Sequence, residues 1–271
     1  MRVGIIGGGT IARLILDHVR RGALGRMRIV AIAGRGERST ARNLAKERRV
    51  PYVIGVKALL AKKPDVVVEA ASHDALREYG EAILRKGSAL IVLSGGALAD
   101  DKVRARLERA AAKGGAVLYV PSGGIGGLDA LKAACVAGAN EVTIAVTKPP
   151  QAWKGIPYVE RLGVNLETLR GPTTLFEGPA RQGVPLFPAN VNIAAVLSMA
   201  GIGFDRTRLK VVAVPGLTHN THFIEIRGRA GNISVKLENV PAPENPKTAW
   251  LACYSALAAL KAFNSPVRYG T

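Results

Sequence analysis

The sequence predicts an α/β fold, in which a Rossmann-type, doubly wound parallel sheet is followed by a smaller α+β domain with an open-faced mixed or antiparallel sheet. Short apolar runs alternate with amphipathic helical patterns over residues 1–120. A glycine-rich turn follows the first of these runs. Beyond residue 127 the predicted strands instead alternate apolar and polar side chains. We therefore expect a dinucleotide-binding domain over residues 1–120 and a substrate, catalytic and oligomerisation domain over residues 121–247. The last helix, within residues 248–271, is expected to pack back on the first domain.

The first strand runs directly into Gly7-Gly8-Gly9-Thr10-Ile11-Ala12, which fits the pattern G-x-G-x-x-G/A. In this pattern the first glycine allows a tight turn, the second lets the backbone approach a pyrophosphate, and the small third residue lets helix and strand pack closely. The phosphates then lie on the free N–H groups at the start of the helix. Because a strand precedes the motif and a helix follows it, we predict that Gly7, Gly9, Thr10 and Ile11 bind a dinucleotide.

The second strand, residues 28–34, ends without the acidic side chain that usually binds the adenosine ribose in NAD-preferring sites. Two arginines, Arg35 and Arg38, follow it instead. Guanidinium groups donate in a planar fork that matches phosphate oxygens. The two arginines therefore favour a 2′-phosphate contact, and NADP over NAD, although a solvated helix compensated by Glu37 and Glu47 would account for the same residues.

Further strands are predicted at residues 64–71, 89–94 and 118–121, with helices over residues 75–85 and 100–113, giving a sheet of five or six strands. Doubly wound sheets bind ligands beyond the carboxyl ends of their strands. Ala71, Ser94 and Gly124 occupy such positions, and we expect backbone there to pass close to the nicotinamide.

The second domain contains a histidine in a strand predicted over residues 221–227. Strand alternation puts His222 on the same face as Ile224 and Ile226. A histidine that points inward is a candidate acid or base because its unperturbed pKa lies near neutrality. From the spacing alone, a hydrogen-bonded core histidine explains the pattern somewhat better than a catalytic one.

Four further residues are candidates for substrate or cofactor contacts. Asn190 and Asn192 precede a helix predicted over residues 192–200, where either could bind a ligand or serve as the N-cap. Lys148 and Lys247 lie at the ends of elements, where anionic substrates are held, but where lysines are often only solvated. No His, Cys or Asp cluster has metal-site spacing, and no metal ion is expected.

The composition sets limits on partners and location. The 271 residues include 38 Lys and Arg against 20 Asp and Glu, a formal net charge of +18. Such an excess is compatible with an anionic ligand or a basic surface; the scattered basic residues, without interleaved aromatics, argue against specific nucleic-acid binding. No apolar run reaches the roughly eighteen residues of a membrane span, and the chain starts in a strand without a signal peptide. We expect a cytoplasmic protein that forms a homodimer or another homo-oligomer.

Taken together, these motifs resemble the L-aspartate dehydrogenase family of archaea and bacteria. The segments that carry the resemblance are residues 4–12, 69–72, 93–100, 121–130, 147–150, 187–195, 220–222 and 239–248. Other Rossmann enzymes share the first segment and lack the rest. The sequence departs from the family pattern at Gly124 and Gly126, where the family has alanines, and at Phe223, where many members have glutamate.

The resemblance implies NAD(P)-dependent oxidative deamination of L-aspartate to iminoaspartate, which hydrolyses to oxaloacetate and ammonia, or the reverse amination. In some organisms the imine feeds NAD biosynthesis. It also implies that His222, and not His219, is catalytic, and that the glycine turn, Gly124 and Asn192 contact the cofactor. The alternatives are a dihydrodipicolinate reductase or homoserine dehydrogenase type of enzyme acting on another aspartate derivative, and a non-catalytic NAD(P)-sensing module.

Overall fold

A computed structural model describes residues 1–188, 190–242, 245–267 and 269, without the side chains of residues 245–248. The chain divides into two compact units. The first contains Met1–Pro121 and Cys253–Tyr269, and the second contains Ser122–Ala252. A parallel sheet in the first unit and a mixed sheet in the second confirm the predicted fold class. No helix in the described parts of the chain is long and apolar enough to cross a membrane.

The first unit is built on a six-stranded parallel sheet with the strand order β3-β2-β1-β4-β5-β6. Its strands are β1 (Arg2–Ile6), β2 (Arg28–Gly34), β3 (Tyr52–Ile54), β4 (Val66–Glu69), β5 (Ala89–Val92) and β6 (Leu118–Tyr119). The helices between them are α1 (Thr10–Arg20), α2 (Thr40–Arg48), α3 (Gly55–Ala61), α4 (His73–Arg85) and α5 (Asp101–Gly114), and a 3₁₀ turn covers Gly95–Ala99. The sequence patterns did not predict β3 and α3, which are short.

The core of this unit lies between the sheet and its helices. The central strands β1, β4 and β5 are almost wholly buried, which explains why their sequences are continuous apolar runs without alternation. Helix α10 (Trp250–Phe263) from the end of the chain adds Ala256, Leu257, Ala259 and Leu260 to the same core. The last helix therefore completes the sheet packing of the first unit.

The sheet has a topological switch point between β1 and β4, where the order of its strands reverses direction. Successive strands are added on the β2 side first and on the β4 side afterwards. Ile6 and Glu69, the last residues of β1 and β4, are direct partners at the carboxyl edge of the sheet. Ligands of doubly wound sheets bind at such a switch point, so the fold places the glycine turn after β1 where a dinucleotide is expected.

The second unit contains a five-stranded sheet with the order β11-β10-β7-β9-β8, in which only the pairing of β7 with β9 is parallel. Its elements are α6 (Leu128–Ala137), β7 (Ala139–Lys148), α7 (Pro157–Arg161), β8 (Thr173–Pro179), α8 (Ala180–Leu186), α9 (Asn192–Ala200), β9 (Arg208–Ala213), β10 (Asn220–Gly228) and β11 (Gly231–Asn239), and a separate pair formed by β12 (Pro241–Ala242) and β13 (Asn245–Ala249). Strand β8 lies in a stretch rich in Pro and Gly that gave no strand signal.

Neither asparagine ahead of α9 serves as its N-cap, so that interpretation was wrong. The helix begins at Asn192, and the residue in the N-cap position is Val191, which makes no side-chain cap. The amide of Asn190 instead donates to the main-chain oxygen of Pro188 at 3.1 Å. The side chain of Asn190 thus bonds within the turn ahead of α9 and does not cap the helix.

Candidate functional site

The three glycines of the turn after β1 differ in what an added Cβ atom would meet. Gly7 has φ +103°, and a Cβ there would lie 2.4 Å from the main-chain oxygen of Ala70. A Cβ on Gly8 would lie 2.3 Å from the main-chain nitrogen of Ala41, at the start of α2. Gly9, by contrast, faces open space, since no atom of the described residues lies within 4 Å of an added Cβ. Gly7 and Gly8 therefore have no room for a side chain, whereas Gly9 lies on the open side of the turn, where a ligand would bind.

The start of α1 fits the phosphates of a dinucleotide. Helices leave their first N–H groups without backbone partners, and among the described residues no side chain caps the helix at Gly9. Thr10 and Ile11 are the first residues of α1 and are both partly exposed, while Ala12 behind them is fully buried. The N–H groups of this turn can thus receive phosphate oxygens, as the motif predicted.

The loop after β2 presents two arginines to solvent. Arg35 and Arg38 are both exposed. The carboxylate of Glu37 between them pairs with Arg42, at 2.9 Å from its Nε. The loop itself is held by the Tyr52 hydroxyl, which donates to the Gly36 oxygen at 2.6 Å. Two cations therefore stand on an ordered loop whose one acidic residue is already paired.

A buried carboxylate that the sequence reading did not single out joins the loops carrying Ala71 and Ser94. Glu69, the last residue of β4, is 1% exposed. Its Oε1 accepts the Ala71 N–H at 2.9 Å, the Ser72 N–H at 3.0 Å and the Ser94 hydroxyl at 3.0 Å, and its Oε2 accepts the Ser94 N–H at 3.0 Å. The N–H groups of Ala71 and Ser94 are thus occupied within the protein. A glutamate at the end of the run Val-Val-Val was the available signal.

Four buried polar side chains of the second unit share one face at one end of its sheet: Lys148, Asn220, His222 and Asn239. Strands β7, β10 and β11 bring them together, because His222 is the partner of Val146 and Leu237, and Asn220 is the partner of Asn239. Lys148 lies two residues beyond Val146, on the same face of β7. The predicted inward direction of His222 is therefore observed, in a polar cluster at the end of an otherwise apolar face.

His222 is 3% exposed, and its Nδ1 is buried without a hydrogen-bond partner among the described residues. Burial and the nearby charge of Lys148 lower the pKa of His222 from 6.5 to about 3, although the backbone of Thr221 acts in the opposite direction. Buried polar atoms are nearly always paired. An unpaired ring nitrogen therefore indicates a position at which a ligand or a water molecule completes the site.

Lys148 is not the solvated lysine that its position before two prolines suggested. It is 4% exposed, and its Nζ donates to the main-chain oxygen of Asn190 at 3.1 Å. The ammonium also lies over the ring of Trp153, 5.3 Å from the centroid. Burial lowers the pKa of Lys148 from 10.5 to about 8. A buried cation beside an uncharged histidine is suited to hold an anionic group.

The remaining predicted contacts of this unit lie around the same polar face. Asn239 donates from its amide to the Gly124 oxygen at 2.8 Å. Cβ atoms added to Gly123 and Gly124 would lie 3.7 and 3.8 Å from the side chain of Ile193, next to Asn192 in the first turn of α9. Asn190 is joined to Lys148 as described above. The side chain of Lys247 lies outside the described residues.

The predicted site residues thus fall into two groups. Gly7, Gly9, Thr10, Ile11, Arg35, Arg38, Ala71 and Ser94 belong to the first unit, and Lys148, Asn190, Asn192, His222 and Gly124 belong to the second. Within the described parts of the chain, no group of three or more His, Cys, Asp or Glu side chains could hold a metal ion.

Comparison with known proteins bears directly on this arrangement. The sequence pattern of the family described as "Aspartate dehydrogenase, C-terminal" matches residues 129–263, and that described as "Homoserine dehydrogenase, NAD binding domain" matches residues 7–121. The L-aspartate dehydrogenase of Methanosarcina barkeri is 41% identical over 272 residues, which covers 100% of both chains. The chain belongs to the L-aspartate dehydrogenase family. The enzyme of that name from Methanocella arvoryzae is 38% identical over 100% of this chain and 99% of its own.

Solved structures agree with membership of the L-aspartate dehydrogenase family. The crystal structure of aspartate dehydrogenase from Thermotoga maritima superposes with a TM-score of 0.76 at 29% identity, covering 100% of this chain and 99% of that one. A hyperthermophilic archaeal homoserine dehydrogenase in complex with NADPH gives a TM-score of 0.62 at 13% identity, with 98% of each chain covered. The latter likeness shows a shared fold. The resemblance found in the sequence motifs is thereby confirmed.

Proposed function

We propose that this protein is an NAD(P)-dependent L-aspartate dehydrogenase, which converts L-aspartate and water to oxaloacetate and ammonia through iminoaspartate, or runs the reverse amination. The observation that carries the proposal is the buried pair of His222 and Lys148, in which the histidine Nδ1 has no hydrogen-bond partner in the described parts of the chain and a cation lies beside it. A neutral base and a buried cation on one face suit a dicarboxylic substrate whose imine must be hydrolysed. The match to L-aspartate dehydrogenases over the full chain supports the same substrate.

Each group of this face has a distinct role in the proposed mechanism. Bound NAD(P) supplies the hydride acceptor for the Cα–H of L-aspartate. His222 stays uncharged at neutral pH because its pKa lies far below 7. Its Nδ1, which has no partner among the described residues, orients the water that adds to the imine carbon and relays the proton of that water to the departing amine. Lys148 uses one N–H on Asn190 and offers its charge to a substrate carboxylate. Lys247 stays a prediction for the second carboxylate.

The first unit supports use of the phosphorylated cofactor. Arg35 and Arg38 are exposed cations on the loop that follows β2, and no acidic side chain ends that strand to repel a 2′-phosphate. We therefore propose NADP as the preferred cofactor, with NAD accepted more weakly. The cytoplasmic location, the homodimer or other homo-oligomer, and a supply of imine to NAD biosynthesis stay predictions from the sequence.

The proposal is tested by measuring reduction of NAD and of NADP, each added separately, with L-aspartate as the substrate. The comparison panel contains L-glutamate, L-alanine, L-homoserine and dihydrodipicolinate, the last with reduced cofactor. We expect L-aspartate to have the highest kcat/KM. L-glutamate should lie at least about tenfold lower, because one extra methylene in a fitted site is worth roughly 10- to 200-fold.

Two other results would contradict the proposal in different ways. Turnover of L-homoserine or dihydrodipicolinate without turnover of L-aspartate would assign the chain to another reaction on a related fold. Tight cofactor binding without turnover of any substrate in the panel would instead indicate a sensing module. Oxaloacetate and ammonia should be assayed directly, so that reduced cofactor alone is not taken as proof of deamination.

A further inference from the structure

The hydrogen bonds around Glu69 form a connection between two loops that are far apart in the sequence. Its carboxylate accepts from Ala71 and Ser72, in the loop that leads from β4 into α4, and from both the N–H and the hydroxyl of Ser94, in the loop after β5. Ser94 is 25 residues away in the chain. One buried side chain therefore fixes the separation of these two loops at the carboxyl edge of the sheet.

This carboxylate lies at the switch point of the parallel sheet. Glu69 is the register partner of Ile6, directly before Gly7. The Ala70 N–H donates to the Ile6 oxygen at 2.9 Å, and the Ala70 oxygen lies so close to Gly7 that a Cβ there would approach it to 2.4 Å. The backbone that Glu69 holds is thus in contact with the glycine turn. Any displacement of the Ala70–Ser72 backbone would be transmitted to that turn.

The chemistry of the site requires an acceptor at both carboxylate oxygens. All four partners are donors, three of them main-chain N–H groups whose position is set by the fold. An ionised carboxylate accepts at both oxygens, whereas a glutamine of the same shape must place an NH₂ donor at one of them. Burial raises the pKa of Glu69, and the donors from Ala71, Ser72 and Ser94 oppose that effect.

We propose that Glu69 is a positioning residue of the cofactor site, whose carboxylate holds the loops after β4 and β5 in the arrangement that binds NAD(P). It acts through Ala71, Ser72 and Ser94 and does not itself contact the cofactor, since it is 1% exposed and its oxygens are occupied. This inference rests on the proposed use of NAD(P), and it adds a residue that neither the glycine motif nor the basic loop contains.

The test compares Glu69→Gln with Glu108→Gln, which removes the same charge from an exposed position on α5 of the same unit. Dissociation constants for NADPH and NADH are measured by fluorescence titration without any amino acid, well below the melting temperature of each variant. We expect Glu69→Gln to weaken binding of both cofactors by at least about tenfold, because a buried N–H is left facing another donor. Glu108→Gln should stay within about twofold of the wild type.

Hydrogen exchange provides a readout that does not depend on ligand binding. In Glu69→Gln, amides of residues 70–72 and 94–97 should exchange faster, whereas those of the buried strand β1 should not change. A variant that is less stable but binds NADPH and NADH with wild-type affinity, and shows no faster exchange in those two segments, would overturn the proposal.

If Glu69→Gln does not fold, Glu69→Asp takes its place, because it keeps the charge and shortens the reach by one methylene. It should weaken cofactor binding by a smaller factor, and wild-type affinity in this variant would also overturn the proposal. Because no substrate is present in these titrations, their outcome is independent of whether L-aspartate proves to be the substrate. A wild-type protein that binds both cofactors but does not turn over L-aspartate would count against the proposed reaction and leave the role of Glu69 standing.

Discussion

The ammonium of Lys148 donates a hydrogen bond of 3.1 Å to the main-chain oxygen of Asn190, 42 residues farther along the chain. This contact ties the end of β7 to the turn that leads into α9. The ammonium is buried, and none of the ion pairs among the described residues includes it. A cation held in this way is costly to bury without a ligand and becomes useful once an anion arrives.

The first prediction is that replacing this cation stabilises the folded protein but weakens its binding of L-aspartate. The pKa of Lys148 falls from 10.5 to about 8 in the folded state, and such a shift corresponds to about 3 kcal/mol of cost for the charged form. Lys148→Met keeps the volume but loses the bond to Asn190, so we expect a net gain of about 1–2 kcal/mol in the free energy of unfolding at pH 7. Chemical denaturation measures it, and KM for L-aspartate should rise.

The pH dependence of the free energy of unfolding tests whether that gain comes from removing the buried charge of Lys148. Below pH 8 the folded wild type carries the full cost of the buried charge, and between pH 8 and 10.5 the cost disappears because the folded state releases its proton first. The advantage of Lys148→Met should therefore shrink as the pH is raised through this interval. Lys154→Met, at an exposed lysine paired with Glu167, is the control and should show no such gain.

The second prediction concerns turnover at His222. His222→Ala should lower kcat by roughly 10²- to 10⁴-fold, the range typical of a lost acid or base. Dissociation constants for NADPH and NADH should be unchanged, because His222 is assigned to the water and the imine and is not among the residues proposed to contact the cofactor. Steady-state kinetics and fluorescence titration measure the two effects. His219→Ala, at an exposed histidine three residues earlier, is the matched control, and a wild-type rate for His222→Ala would remove the residue from the mechanism.

The same histidine should make stability depend on pH on the acid side. Its pKa is about 3 in the folded state against 6.5 when unperturbed, so below pH 6.5 the unfolded chain binds a proton that the folded chain excludes. Stability is fully present above pH 6.5 and is lost as the pH falls, by about 2 kcal/mol at pH 5. His222→Gln lacks this loss. Denaturation curves of both proteins at pH 7.5 and pH 5 measure it, and parallel losses would show that His222 titrates normally.

The sequence predicted those features that depend on local pattern. The strand of His222 and its inward face follow from alternation, and the glycine turn follows from spacing, because both are properties of neighbouring residues. Only the solvated alternative for Lys148 was wrong, because Trp153 and the turn around Asn190 pack against this lysine, and neither contact can be deduced from the neighbouring residues in the sequence. Glu69 was missed for the same reason, since its partner Ser94 lies in the loop after a different strand, 25 residues away in the chain.

The basic loop after β2 gives the fourth prediction, on cofactor choice. Arg35→Ala together with Arg38→Ala should raise the KM for NADP by about 10- to 100-fold, since two charge-assisted contacts are lost. The KM for NAD, which lacks the 2′-phosphate, should change by less than about threefold. Replacing Arg20 and Arg21 by alanine removes two other exposed charges from the same unit and controls for general electrostatics. Equal losses for NAD and NADP would show that the arginines do not read the phosphate.

The last prediction concerns the glycine turn. Of two similar substitutions there, one should lower the stability of the protein and the other its affinity for the cofactor. Gly7→Ala puts a Cβ 2.4 Å from the Ala70 oxygen, at a residue whose φ is +103°. This backbone conformation costs an L-residue at least about 1 kcal/mol before the clash is counted. The variant should therefore unfold at a markedly lower denaturant concentration. The added Cβ of Gly9→Ala meets no atom within 4 Å in the part of the chain that the structure describes, so the unfolding curve of this variant should match the wild type. Its added methyl group instead occupies the open side of the turn where the pyrophosphate approaches, and affinity for NADPH should fall by more than about tenfold. Wild-type affinity in Gly9→Ala would place the phosphates elsewhere, whereas a loss of stability there would mean that the open side of the turn is filled by protein.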